Sequence, residues 1–314
     1  YVKETKHSLK DKNHAFLRGE VLLILLRKIM KGISREGHCW KISLHWDGSK
    51  WVLIHGERFL MTSRKNSALK PVVAIPARIG STRLPRKVLL EINGKPMLHH
   101  VIERCLGTEL VEEVFVVTDS QEVYDSVSST SAKALMSDPD CSSGTARIAS
   151  VIDQLPGEII VNVQADQPVV EPALIGNIIQ ELADSDADIS TPVWLIKTID
   201  QLKDPALVKV VCGHQGEALY FSRNPIPFVR DRDISEWMAH AEFFGHHGVY
   251  GYRRSILENF HSIPAGKLEN LEKLEQLRFL EAGYRIQTVL TEHEHQSIDN
   301  PEDLDSVSLQ IQPI

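Results

Sequence analysis

From Pro71 onward the chain alternates short, continuously apolar runs with longer stretches of helical spacing, and this alternation restricts the fold more than any other feature. Val72-Val73-Ala74-Ile75, Val114-Phe115-Val116-Val117 and Ile159-Ile160-Val161-Asn162-Val163 are short and rich in β-branched residues. A strand with one wet face would alternate apolar and polar residues, so runs without that alternation suit strands covered on both faces. Helices are predicted near Met97–Leu106, Gln121–Ser128, Thr145–Gln154 and Pro172–Leu182. Strands alternating with helices imply right-handed βαβ crossovers, hence an α/β fold whose mainly parallel sheet carries helices on both faces. Such sheets bind ligands beyond the carboxyl ends of their strands, so chemistry is expected in the loops that begin at Pro76, Thr118 and Gln164.

Residues 1–70 differ in kind, carrying a net charge of +9 against −16 for the rest of the 314-residue chain. A short helix is expected at Ala15–Lys31, where Leu17, Val21, Ile24, Leu25 and Ile29 share one side. A hairpin should follow: Trp40–Trp46 alternates, Asp47-Gly48-Ser49 turns and Trp51–Ile54 returns. Met61–Lys70 reads as a polar linker, which divides the chain into a basic extension of unassigned role at 1–70 and one large domain at 71–314. A basic segment can attract nucleic acid or anionic lipid, but it is more often a solvated tail. This one holds no nucleic-acid motif, so no nucleic-acid partner is expected. The longest apolar run, Val21–Leu26, has six residues, whereas a membrane-spanning helix needs about 20; neither a span nor export is expected. Cys39, Cys105, Cys141 and Cys212 lie far apart without paired or metal-type spacing, which favours a reducing cytosol over a disulfide framework or a zinc site.

The loop after the first strand, Pro76-Ala77-Arg78-Ile79-Gly80-Ser81-Thr82-Arg83-Leu84-Pro85-Arg86-Lys87, packs four cations, a glycine and two hydroxyls into twelve residues. This is the chemistry of a polyphosphate cradle, in which backbone N–H groups point at phosphate oxygens and Arg and Lys add charge-assisted bonds. The glycine spacings of a Walker loop and of a dinucleotide fingerprint are both absent.

This loop, continued by Asn93-Gly94-Lys95-Pro96-Met97, resembles the N-terminal signature of the 3-deoxy-manno-octulosonate (Kdo) cytidylyltransferases. The resemblance runs on through Thr118-Asp119, Ser143-Gly144-Thr145, Val161–Asp166, Lys209-Val210-Val211, Ala218–Arg223, Gly248–Arg253, Leu274–Arg278 and Asp299–Leu304. It covers nearly all of residues 71–309, in order. It implies a three-layer α/β/α nucleotidyltransferase of the nucleotide-diphospho-sugar transferase type, Rossmann-like, with a mainly parallel mixed sheet. It also implies CMP transfer from CTP to Kdo for lipopolysaccharide biosynthesis, dependence on magnesium, and a homodimer built through an arm at Asn224–Asp233. Carried residue by residue, it assigns nucleotide contacts to Ala77, Arg78, Ser81, Arg83, Lys87 and Gln164, and catalytic roles to Lys87, Asp166 and Asp299. Asp166 and Asp299 would be the magnesium ligands. Arg223, His246, Tyr250, Glu275 and Gln276 would form the sugar-acid pocket, with Arg223 forked onto the substrate carboxylate.

The residues themselves leave alternatives open. Asp166 also suits a loop cap, and Asp299 or Asn300 suits a helix N-cap with Pro301 at the first helical position. Glu275 suits a helix-surface partner for Arg278 three residues on. If His246 and His247 lie on a strand, only one of them can face the pocket. The chain also departs from the family at Arg86 and Val88 (usually Gly and Pro), at Ala165 and Gln167 (usually Gly and Glu), and at Ala146 (usually acidic). These departures keep 8-amino-Kdo, a nonulosonic acid such as sialic acid, and a degenerate nucleotide-binding copy open as alternatives to Kdo turnover.

Overall fold

The computed structural model describes residues 38–46, 51–60, 69–80, 84–294, 297–298 and 300–311. The chain divides into two compact units, residues 1–67 and 68–314. In the first, β1 (His38–Trp46) and β2 (Trp51–Leu60) pair antiparallel, with Trp46 opposite Trp51, and β2 extends six residues beyond the expected Ile54. The helix expected at Ala15–Lys31, and residues 61–68 of the expected linker, lie outside the described residues.

The second unit is built on a ten-stranded sheet. Beside a two-stranded excursion, β4 (Glu91–Ile92) with β5 (Lys95–Pro96), its strands are β3 (Val72–Ala77), β6 (Glu113–Thr118), β7 (Lys133–Met136), β8 (Ile159–Asn162), β9 (Ile189–Leu195), β10 (Lys209–Cys212), β11 (Ala218–Ser222), β12 (Phe244–His246), β13 (Tyr250–Arg253) and β14 (Ile286–Thr291). Their order is β11-β10-β12-β9-β13-β8-β3-β6-β7, with β14 parallel to β9. Pairing directions make seven of the ten strands run one way; β11, β12 and β13 oppose them. The sheet is thus mixed and mainly parallel.

All six residues of β3 are buried, and they alternate between two cores. Val73 and Ile75 pack with Leu98, Val101 and Ile102 of α1 (Met97–Leu106). Val72 and Ala74 belong to the opposite core, with Ile148 of the short α3 (Gly144–Ala149) and Ile256 of α6 (Arg254–Glu258). Between α1 and α3 lies α2 (Gln121–Val127), capped by the Ser120 side chain, as a residue that competes for backbone N–H groups should do. α4 (Pro172–Asp184) has proline in its first turn and buries Leu174, Ile175, Ile178, Ile179 and Leu182 at helical spacing. It runs two residues beyond the expected end. The helix expected over Thr145–Gln154 is instead two pieces, α3 and a 3₁₀ turn at Ile152–Gln154, because Val151 leaves the helical region at φ −120°.

One irregularity shapes the sheet. Phe244–Arg253 runs antiparallel to β9 along both of its halves, but the chain bends between them: the His247 N–H still donates to the β9 carbonyl of Pro192, and the Val249 N–H turns back to the His247 carbonyl. Past the bend, β13 pairs on its other side with β8; before it, β12 pairs with β10. β8 and β10 therefore take different lengths of the same bent strand, and the sheet divides between them. The remaining helices are α5 (Ile199–Lys203), α7 (Lys267–Glu272), α8 (Gln276–Glu281) and α9 (Pro301–Ser308).

Candidate active site

The segments at the carboxyl ends of β3 and β8 converge on one cleft of about 300 Å³, lined by Pro76, Arg78, Gly80, Lys87, Ser143, Gly144, Arg147, Gln164 and Asp166 among others. Its volume lies at the low end of the range for small-molecule sites. Arg78, Lys87, Gln164 and Asp166, four of the residues singled out in the sequence, meet here. Ala77 is the buried last residue of β3. Ser81, Arg83 and Asp299 lie outside the described residues.

Lys87 Nζ donates to Asp166 Oδ2 at 2.8 Å, so Asp166 is an ion-pair partner in the cleft rather than a loop cap. Lys87 is fixed by a 3₁₀ turn at Lys87–Leu89, entered through Arg86 in the left-handed region at φ 58°. Any L residue with a Cβ is strained there and glycine is not, which gives a physical reason for glycine at this place in the family. The Arg86 guanidinium pairs with Glu122 of α2, so its extra charge is partly neutralised away from the phosphate loop. Asp166 is tied to the C-terminal segment: its carbonyl accepts the Ile298 N–H, and Ile298 is wholly buried beside Ile92, Met97 and Val307. Two residues beyond Ile298, Asn300 caps α9 in a reciprocal capping box with Asp303, so the N-cap role foreseen for Asp299 or Asn300 falls to Asn300.

Gln164 is held from below by a hydrogen-bond chain. Its Nε2 donates to Asn162 Oδ1 at 3.0 Å, Asn162 Nδ2 reaches Thr145 Oγ1 at 3.4 Å, and Thr145 hydrogen-bonds the Tyr252 hydroxyl. Arg147 forms another wall, donating to Asp119 Oδ2 at 2.9 Å and Ser137 Oγ at 2.5 Å. Ala146 faces the core instead, so the missing acid at this position leaves no gap in the cleft wall. Gln167 is buried and lines a separate cavity with His247, Glu171 and Arg104, not the cleft of Asp166. Its replacement of a glutamate therefore acts outside that cleft.

The proposed sugar-acid residues surround the bent strand. Tyr250 pairs with Asn162 in the ladder, two residues before Gln164, so this group adjoins the cleft through the seam of β8 and β13. His246 is buried, hydrogen-bonded through Nε2 to Thr191 Oγ1 at 2.9 Å, and packed 5.0 Å from Phe221 and 5.3 Å from Tyr250 between ring centres. His247 lines the Gln167 cavity, so the neighbouring histidines serve different places. Burial, with Tyr252 and Glu275 nearby, pushes the Tyr250 phenol well above its ordinary value, so it is a hydrogen-bond donor throughout the physiological range. Glu275 and Gln276 start α8, and Gln276 is buried. The Arg278 guanidinium forks onto Glu269 at 2.5 and 2.8 Å, with the Glu275 charge nearby adding to its stabilisation. Arg223 follows β11 and donates Nε to the Glu272 carbonyl at 2.8 Å and Nη1 to the Pro205 carbonyl at 2.9 Å.

Fold and cleft together define an α/β protein with a cleft holding Arg78, Lys87 and Asp166 at the carboxyl ends of its parallel strands. A sequence profile of the cytidylyltransferases matches residues 72–286. The chain is 44% identical over 239 residues to a 3-deoxy-manno-octulosonate cytidylyltransferase of Geobacter sulfurreducens, covering 74% of this chain and 96% of that one. It is 40% identical over 235 residues to an 8-amino-3,8-dideoxy-manno-octulosonate cytidylyltransferase of Shewanella amazonensis, covering 73% and 94%. A solved structure of CMP:2-keto-3-deoxy-manno-octonic acid synthetase complexed with CTP superposes with TM-score 0.72 at 38% identity, over 77% of this chain and 98% of that one. The chain belongs to the cytidylyltransferase family, and within it to the 3-deoxy-manno-octulosonate cytidylyltransferases.

Proposed function

We propose that the protein transfers CMP from CTP to the anomeric hydroxyl of Kdo, releasing pyrophosphate and giving CMP-Kdo for lipopolysaccharide biosynthesis. The observation that carries this reading is the Lys87–Asp166 pair beyond the end of β8, set in one cleft with Arg78 and Gln164, in a chain 40–44% identical to Kdo cytidylyltransferases.

The donor set suits magnesium. Asp166 offers a part-exposed carboxylate with one oxygen on Lys87, and Asp299 is the residue after Ile298, whose amide bonds Asp166. Magnesium takes one or two carboxylates and fills its remaining positions with phosphate oxygens and water. Asp166 and Asp299 would hold it, and when bound it neutralises charge on the α-phosphate and acidifies the attacking hydroxyl. The chain's own groups do the rest. Arg78 and Lys87 hold the departing phosphates by charge-assisted bonds. Gln164, fixed by Asn162, faces the nucleotide. Arg223 takes the sugar carboxylate, while His246, fixed by Thr191, and Tyr250, a protonated donor, orient the hydroxyls for in-line attack. Glu275 and Gln276 complete the sugar side.

The test is pyrophosphate release from CTP, magnesium and Kdo. We expect turnover that falls by on the order of a hundredfold or more in Asp166→Ala. Release with 8-amino-Kdo alone would move this chain to the activity named for the Shewanella relative. A preference for UTP over CTP would sink the cytidylyl assignment. We place the reaction in the cytoplasm, which the free cysteines Cys105, Cys141 and Cys212 support. We also assign a homodimer through Asn224–Asp233, where Phe228 is 75% exposed.

A further inference from the structure

Lys209 sits in an apolar run and is wholly buried. Its ammonium donates to three backbone carbonyls: Asp204 at 2.8 Å, Leu207 at 2.6 Å and Arg223 at 2.5 Å. An ammonium has three donors, and here each has an acceptor. Glu272, the last residue of α7, holds the same arginine from the other side. Its carboxylate accepts the Arg223 N–H at 3.0 Å and the Ser222 hydroxyl at 2.6 Å, and its carbonyl accepts Arg223 Nε at 2.8 Å. The Arg223 amide, carbonyl and guanidinium are all tied, and by residues 14 and 49 positions away in the chain. Two guanidinium donors go to carbonyls; among the described residues Nη2 bonds to none. Nε and Nη1 lie on opposite sides of the guanidinium, so each two-donor fork already has one donor tied, and the held Nη2 can meet an arriving carboxylate without losing further rotamer freedom.

We propose that Glu272, backed by Lys209, is a positioning residue that holds Arg223 ready for the carboxylate of the acid substrate. The inference rests on the reading that Arg223 takes that carboxylate. Phe221, two residues before Arg223, packs against His246, which puts the clamped turn at the sugar side of the bent strand. Glu272 itself touches no reacting group. It replaces the freedom of a long side chain at a strand end with a fixed direction, which lowers the cost of binding a carboxylate without altering the nucleotide site.

Glu272→Ala is the deciding variant, with Glu272→Gln as its conservative control. The amide keeps an acceptor for the Arg223 N–H, while its NH₂ can donate to the Ser222 oxygen. We expect Glu272→Ala to raise KM for the sugar acid about tenfold, with KM for CTP and kcat within about twofold, and Glu272→Gln to restore most of the loss. In the doubly substituted Arg223→Ala/Glu272→Ala protein the KM should match that of Arg223→Ala alone. A second readout needs no substrate: the Arg223 Nε–H resonance of the unliganded full-length protein should be sharp and slowly exchanging in the wild type and broadened in Glu272→Ala. An unaltered resonance in Glu272→Ala overturns the clamp, whichever sugar acid the enzyme uses. A lowered kcat or a raised KM for CTP also overturns it. Failure of Kdo as substrate with the resonance still responding to Glu272→Ala would sink the substrate reading and leave the clamp standing.

Discussion

Cys141 and Cys105 are the same thiol in opposite surroundings. Cys141 lines the proposed nucleotide cleft and is half-buried, whereas Cys105 is wholly buried in α1, where burial pushes its thiol far above the ordinary range. The thiolate is the reactive form, so Cys105 should resist alkylation and Cys141 should accept it. Mass spectrometry after iodoacetamide treatment is expected to find Cys141 modified and Cys105 not, with CTP slowing the reaction at Cys141. Equal labelling of Cys141 with and without CTP would show that the nucleotide lies elsewhere. The residues that sequence spacing exposed were those whose chemistry is local. Arg78 and Lys87 sit in one basic loop, and Asp166 lies in the loop four residues past the readable strand β8. Lys209, Glu272 and Arg147 were missed because their meaning depends on partners distant in the chain, as in Arg147 with Asp119, 28 positions apart. A lone lysine within Leu207-Val208-Lys209-Val210-Val211 is a signal, since lysine is almost never fully buried unpaired. The run does not say which carbonyls receive it.

At the scale of elements, β3, β6 and β8 were legible because burial on both faces writes a continuous apolar run into the sequence. β12 was not, since three residues that owe their conformation to pairing with β9 and β10 carry no period of their own. The bent strand lies close against α4, and Gly251 is the reason. A Cβ on Gly251 would stand 2.5 Å from Ile178 Cγ2 and 2.8 Å from Ser190 Oγ. Neither atom ends a long flexible side chain, so the overpacking must be taken up by the sheet or the helix. Gly251→Ala should cost about 1–3 kcal/mol in urea unfolding; an unchanged midpoint would mean that α4 yields freely. The same helix carries a liability in its last turn. Burial, and after it Asp184, raises the Glu181 carboxyl above its ordinary value. In the folded state Glu181 binds its proton more tightly, so stability falls as pH rises through the window just above 4.5. After screening at this half-buried position, Glu181→Gln should gain a few tenths of a kcal/mol at neutral pH. The gain should vanish in acid, below both titrations. A gain of equal size at both pH values would place its cause outside the ionisation.

For the whole molecule, the division at residue 67 separates charge as well as structure: +8 in residues 1–67 stands against −15 in the remainder. Every described residue of the candidate site, from Pro76 to Ile298, belongs to the second unit, as do both large cores that flank the sheet. The cytidylyltransferase profile begins at residue 72, and the solved CTP-bound relative is covered over 98% of its length by 77% of this chain. A chain starting at Ala68 therefore retains the cleft, the bent strand and the Arg223 clamp. The proposed dimer arm, Asn224–Asp233, is retained too, with Phe228 packed edge-on to Trp237 at 5.2 Å. We expect residues 68–314 to keep kcat/KM for CTP within about twofold of the full chain, a difference of less than about 0.5 kcal/mol, and to sediment as a dimer. The basic segment would then be a solvated extension, whose only effect on the reaction is a weak, salt-screened attraction for anionic CTP. Low ionic strength sharpens the comparison. If the full chain gains on the truncated one only in dilute salt, the segment acts through its charge. A loss of turnover that persists in high salt, in a truncated chain with an unchanged melting temperature, would overturn this reading and make residues 1–67 a working part of the enzyme.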